Sequence, residues 1–213
     1  MGLSSPIVRF VPSRVEAAPP FLEALVDFVE YQNVLPALND LGVEEVEDAD
    51  GLSRLELGPS KNLKIIHVKA PESRVEPYPE AEVSERSKDE IAELVRELLN
   101  RLHLAELLVV PVSTWREVIT CVAYDLAEDE EWQEMDAVSA IHQNTRNPLA
   151  ITQPEYNVLN DMIASLFRNG ENPKHDVIIT SDMTPLLIEI FHDGAISITS
   201  DPSVSTHIDK ALH

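Results

Sequence analysis

The 213 residues hold 38 acids against 16 lysines and arginines, a formal charge of −22, yet 44% of them are apolar. That much apolar material can form a core, which separates the chain from acidic disordered tails, where low hydrophobicity and high charge occur together. Nucleic acid and membrane surfaces are disfavoured as partners, because both are bound chiefly by Lys and Arg neutralising phosphate. Only six of the basic residues are lysines, so adaptation to a saline interior is a second reading of the same charge.

Cys121 stands alone, which excludes an intramolecular disulfide framework and a multi-cysteine zinc site. No basic n-region and apolar h-region follow Met1, and no window approaches the length of a membrane span. A cytoplasmic protein is the expectation.

Residues 7–11, bounded by Pro6 and Pro12, read as a strand. Leu22, Leu25, Val26 and Val29 then recur at helical spacing from Pro20, with Pro36 interrupting the helix and Gly42 capping its end. Residues 52–57 and 63–68 read as strands joined by a turn at Gly58 to Asn62, a hairpin. The prolines at 71, 77 and 79 mark a connector. Ser87 and Glu90 form a capping box before a helix whose face carries Ile91, Leu94, Val95, Leu98, Leu99 and Leu102. Residues 107–110 are apolar on both faces, as in a central strand.

Residues 114–126 fit two patterns. Trp115, Val118, Ile119, Val122 and Leu126 have helical spacing, whereas the β-branched run favours a strand. Strand is the preferred reading, because Asp125 and Glu128 form a capping box of their own and a new helix would start there. That helix would turn Trp132, Met135, Val138 and Ile141 inward. Thr152 to Glu155 caps the next one, with Tyr156, Leu159, Met162, Ile163, Leu166 and Phe167 inward and Asn169-Gly170 at its end. Residues 177–180 are a strand, and residues 186–192 and 195–199 a hairpin around Asp193-Gly194 in a type I′ turn. Asp201-Pro202 opens a last helix. The order predicts a single α+β domain over residues 1–213, with antiparallel hairpins and a mixed sheet packed on several amphipathic helices; any subdivision would fall near 144–152.

The segment Leu55-Glu56-Leu57-Gly58-Pro59-Ser60-Lys61-Asn62 superficially resembles the first motif of the S-adenosylmethionine-dependent methyltransferases. The resemblance implies an acidic strand end and a glycine turn holding that cofactor. It covers eight residues, lacks the second glycine and leads into a strand where the family has a helix. Asp48, Asp50 and Gly51 miss the register of a calcium loop, which would put Val46 and Leu57 at ligand positions. The seven histidines show no helical metal-ligand pairing, so no metal site and no cofactor are expected. Cys121, among Ile119, Thr120, Val122 and Ala123, reads as a small buried hydrophobe.

Two places remain as candidate sites. His192 and Asp193 sit at a hairpin tip, where an imidazole can act as acid or base. Residues 117–145 contain eight acids and no lysine or arginine; many of these acids suit a helix start, leaving Trp132, Glu134 and Asp136 as a candidate partner face. The functional expectation is a non-enzymatic protein-binding or regulatory protein whose partner has a basic surface, with a homodimer as a further mode of association. In acidity and lack of catalytic motifs it resembles the small α+β chaperones of secreted effectors. The alternatives are a small-molecule enzyme with a dispersed site, His192 and Asp193 first among its residues, and the methyltransferase.

Overall fold

The computed structural model describes residues 27–49, 51–58, 63–128, 132–133, 140–153 and 156–212. The strand expected over 7–11 and the first turns of the helix expected from Pro20 lie outside them; where that helix would continue, Asp27–Phe28 form a strand and Val29 lies in a loop, so that the helix begins only at Tyr31.

An eight-stranded mixed sheet organises the described residues. Its strands are β1 (Asp27–Phe28), β4 (Lys64–Lys69), β5 (Glu82–Glu85), β6 (Glu106–Pro111), β7 (Leu149–Thr152), β8 (Val177–Thr180), β9 (Leu186–Phe191) and β10 (Ala195–Ser200), in the order β1-β7-β6-β8-β9-β10-β4-β5. All neighbours are antiparallel except β4 and β5. The class is α+β, as the sequence predicts. Strands β6, β8 and β9 consist almost wholly of Leu, Ile and Val and are buried on both faces, which places them centrally. Edge strand β5 is exposed at all four residues.

One face of the sheet is covered by helices α2 (Lys88–Leu102), α3 (Trp115–Leu126), α4 (Tyr156–Asn169) and α5 (Pro202–Leu212). Helix α2 begins with the expected capping box: Ser87 Oγ accepts from Glu90 N–H, and the Glu90 carboxylate accepts from Ser87 N–H. Its inward face Ile91, Leu94, Val95, Leu98 and Leu99 joins that of α4 in one cluster with Ile66, Val68, Ile188, Ile196 and Ile198 of the sheet.

The preference for a strand at 114–126 is overturned: the segment is helix α3. The spacing of Trp115, Val118, Ile119, Val122 and Leu126 decides it, since a helix buries all five together and a strand would expose half. Tertiary burial outweighs the β-branched propensity. The first free N–H groups are met by distant carbonyls, Trp115 N–H by Thr145 and Arg116 N–H by Gln143. Asp125 therefore lies in the last turn of α3 and caps nothing; its carboxylate accepts from Ser165 Oγ and Arg168 Nε of α4.

The opposite face is covered by α1 (Tyr31–Asp40), by the two-stranded sheet β2 (Val43–Glu47) and β3 (Ser53–Leu57), and by the β4–β5 crossover over residues 70–81. The hairpin expected from residues 52–57 and 63–68 is thus not formed. Strand β3 pairs backwards with β2, and β4 joins the main sheet beside β10. Gly51, at φ 74°, closes the tight β2–β3 turn, while the hydrophobic pattern of β4, buried at Ile66, His67 and Val68, suits a sheet interior. Arg146 ties this layer down: it donates to the carbonyls of Pro111 and Ser53, pairs with Glu45 and lies over the Tyr31 ring.

Strands β9 and β10 form the expected hairpin, but its loop has three residues. Gly194 N–H donates to Phe191 C=O and Gly194 alone in the loop has positive φ, so the turn is type I followed by a glycine bulge and not type I′. Behind it, Gly170 ends α4 against the loop: a Cβ there would stand 2.6 Å from His192 Cβ, His192 O and Leu166 O. Gly170→Ala is expected to lower stability by about 1–3 kcal/mol through overpacking, read as a lower denaturation midpoint with an unchanged slope.

Candidate functional site

On the face opposite the four helices, one guanidinium serves three carboxylates. Arg54, on β3, donates from Nε to Asp48 Oδ2 at 3.1 Å and from Nη2 to Asp176 Oδ2 at 3.0 Å, with Nη1 3.7 Å from Glu189 Oε1. Asp48 belongs to the acidic β2–β3 turn that the sequence flags, and there it also accepts from Leu52 N–H. Burial works against the charge on Arg54, but Asp176 and the other carboxylates outweigh it and raise the guanidinium pKa further. The ring of Phe191 lies 5.6 Å from its carbon.

Glu189 is 4% exposed in the middle of the apolar run Leu186–Phe191. Its Oε2 accepts from Tyr78 Oη at 2.9 Å, across from the crossover, and its Oε1 makes no hydrogen bond. Burial raises the Glu189 carboxyl to about 7, against the opposing effects of the Tyr78 hydrogen bond and Arg54. Burial and Glu189 together raise Tyr78, whose hydroxyl keeps its proton and donates. Register continues the polar row across the sheet: Glu189 stands opposite Ser197, and Ser197 opposite His67. Both residues are buried, and neither Ser197 Oγ nor either His67 ring nitrogen makes a hydrogen bond. Burial, aided by Lys69, lowers the His67 pKa and keeps the ring neutral.

A cleft of about 300 Å³ opens between β3 and the crossover. Leu57, Leu63, Ile65 and Leu187 line it with Glu56, Tyr78, Glu189 and Thr199, so two carboxylates and no basic side chain border it among the described residues.

The predicted residues His192 and Asp193 lie at the β9–β10 tip but do not act on each other. The imidazole is held by Asp176: Nδ1 lies 2.7 Å from Asp176 Oδ1, which also accepts His192 N–H at 2.8 Å. A carboxylate offers acceptors only, so Nδ1 carries a proton and donates it to Asp176. Asp193 turns the other way, accepting from Ser73 Oγ and Arg74 N–H to pin the crossover. His192 and Asp193 border an open cavity of about 410 Å³ with Glu72, Arg74, Gly170 and Glu171. Asp176, 2% exposed, thus joins the imidazole of this cavity to the guanidinium beside the cleft.

The acidic run fares differently. Glu134 and Asp136 lie outside the described residues, and Trp132, at 3% exposure, belongs to the core and presents no anchoring surface. Ile141, expected inward, is 83% exposed. The methyltransferase resemblance gains no support from geometry: Leu55 to Leu57 lie in a two-stranded sheet apart from the main one, and the next described element is strand β4. Cys121 is partly buried, and its thiol is raised by burial to about 11, with Glu171 and Asp125 adding to the effect. Among the described residues no three His, Cys, Asp or Glu side chains converge as metal ligands, and no helix is long and apolar enough to cross a membrane.

Glu189, Asp176 and Arg54 escaped the sequence reading. The available signal was a single glutamate at an inward position of an otherwise apolar strand, where a charge is costly without partners.

Folded Glu189 holds a proton to about pH 7, whereas in the unfolded chain it titrates near 4.5. The stability from that proton is fully present below pH 4.5 and is lost as pH rises to 7. Glu189→Gln stays neutral and should remove this dependence, so that denaturation midpoints of the two proteins diverge by on the order of 3 kcal/mol across the window. Comparison with known protein families, curated proteins and solved structures found no match.

Proposed function

We propose that the protein acts by binding a partner protein with a basic surface, through the acidic layer around the cleft. Exposed in this layer are Glu44, Glu45, Glu47 and Glu56 of the β2–β3 sheet, Glu72, Glu76 and Glu80 of the crossover, and Glu85 of β5. The reading rests on Glu44 and Glu56. They stand directly opposite each other across the two strands, and neither has a basic partner among the described residues. Like charges in that relation repel and lower the stability of a small sheet, a cost that a cationic partner would offset. Complementary charge also speeds encounter with such a partner. Binding is the activity this layer supports; the charge of the whole chain gives it range.

Titration with a fluorescent oligolysine peptide tests the reading. Saturable binding that weakens with salt is expected, and reversing both charges, Glu44→Lys with Glu56→Lys, should weaken it by about tenfold or more. Affinity unchanged by the double reversal would overturn the assignment to this face.

The Asp176–His192 pair favours a second reading, an enzyme of small molecules using His192 Nε2 as a base in the outer cavity. In a screen of ester and amide substrates it requires a turnover that His192→Asn abolishes; turnover unaffected by that change, or none at all, would count against it.

A further inference from the structure

We infer that the cleft between β3 and the β4–β5 crossover is a binding site for an alkylammonium group, which enters along the apolar walls and ends on Glu189. The inference stands apart from the protein-partner reading, because a free amine would fill the site without any contact to the surrounding acidic layer.

Three features carry it. The first is charge. Asp48 and Asp176 each hydrogen-bond Arg54, so two carboxylates already match the one guanidinium. Glu189, whose Oε1 lies 3.7 Å from Nη1, is a third carboxylate on the same guanidinium, so the cluster carries more acids than cations, and Glu56 at the cleft adds another. The second is an unmet acceptor. Glu189 is more than nine-tenths buried and lines the cleft, and its Oε1 makes no hydrogen bond, standing 3.7 Å from Arg54 Nη1, which makes none either. The third is shape. Leu57, Leu63, Ile65 and Leu187 give an apolar wall suited to a hydrocarbon stem, in a volume of about 300 Å³ that holds a small ligand or one long side chain.

The arrangement also discriminates between cations. A guanidinium is best met by two parallel carboxylate oxygens, but Tyr78 already occupies Glu189 Oε2. A single remaining oxygen suits the point charge of an ammonium. Thr199 and Tyr78 border the same space and supply hydroxyl oxygens for its other protons.

Binding is linked to protons. The groups around Glu189 are Tyr78 from the crossover, Arg54 and Glu56 from β3, Asp176 from the segment before β8, and, one residue beyond Ser197, His67 of β4. Below about pH 7 the Glu189 carboxyl is protonated, and an entering ammonium must displace that proton to solvent. Affinity therefore falls about tenfold per unit of pH below that value and levels above it.

The two sources of an alkylammonium, a free amine and a lysine side chain, are separated by the probes. Amide shifts of Leu187, Glu189 and Thr199 would be followed by NMR during titration with n-butylamine, with N-acetyl-lysine N-methylamide, and with n-butanol as the uncharged match. Saturable shifts with either amine, at least about tenfold weaker in Glu189→Gln and absent with n-butanol, are expected. Tighter binding of n-butylamine assigns the site to a free amine; tighter binding of the lysine derivative assigns it to a partner's side chain. Equal response to n-butanol, no response to either amine, or affinity within about twofold in Glu189→Gln would overturn the inference. Should Glu189→Gln not fold, the unaltered protein suffices, since binding that does not weaken below pH 7 has the same force. Failure of oligolysine binding leaves these monoamine titrations fully readable.

Discussion

Arg54 is the point at which two separate layers of the structure are made to fit one another. A two-stranded sheet is marginal by itself, and β2–β3 has Val43 and Leu55 as its buried apolar residues. Its attachment to the main sheet runs through Leu55 and Val43 packing on Leu108, Val110, Ile178 and Leu187, and through the guanidinium inserted between Asp176 and Glu189. Desolvating such a cluster is expensive, and a well-packed apolar substitute would often serve stability as well. Its value lies in register: a hairpin slid by one residue would turn Arg54 away from both acids and leave Asp176 buried and unmatched. Packing alone would tolerate several placements of Val43 and Leu55, whereas the charges accept one.

From this constraint the chemistry of the face follows. Asp176 divides its two oxygens between Arg54 and His192, so the same buried acid fixes the position of the hairpin and the tautomer of the imidazole. The cleft and the outer cavity are therefore neighbours in a chemical sense as well as a spatial one. A change of charge at Glu189 alters the field at Arg54, and through Arg54 the balance at Asp176. The crossover closes the arrangement from above, with Tyr78 on Glu189 and Ser73 and Arg74 on Asp193.

The sequence was most legible where period and punctuation agreed. Helices α2 and α4 carry unbroken 3.6-residue faces with a capping serine or a closing Asn-Gly, and β6, β8, β9 and β10 are apolar runs of strand length. The errors arose where partners are far away in the chain. Nothing local in residues 52–57 tells that they pair with 43–47 and not with 63–68, because Val43–Glu47 shows two apolar residues among three acids. In α3 the β-branched residues state a preference that burial against α4 overrides. Strand β5, with one apolar residue among four, carries too little pattern to be read, and β7 ends in Thr152, which also reads as the cap of the next helix. The site was least legible of all: His192 and Asp193 were singled out as a pair, yet the imidazole bonds Asp176, brought in by the β8–β9 pairing from sixteen residues upstream.

The exposed edge at β5 has a consequence for how copies of the chain meet. Its outer side has no neighbouring strand among the described residues and offers a template for another strand, and Val83 gives that template an apolar grip. Glu82 and Glu85 stand at its two ends. In a symmetric antiparallel union of two such edges each glutamate would face the glutamate at the other end of its twin, and such like-charge pairs cost stability, less so at Glu82, which already pairs with Lys64. The same carboxylates that flank Val83 thus set a charge condition on any strand that would extend the sheet there.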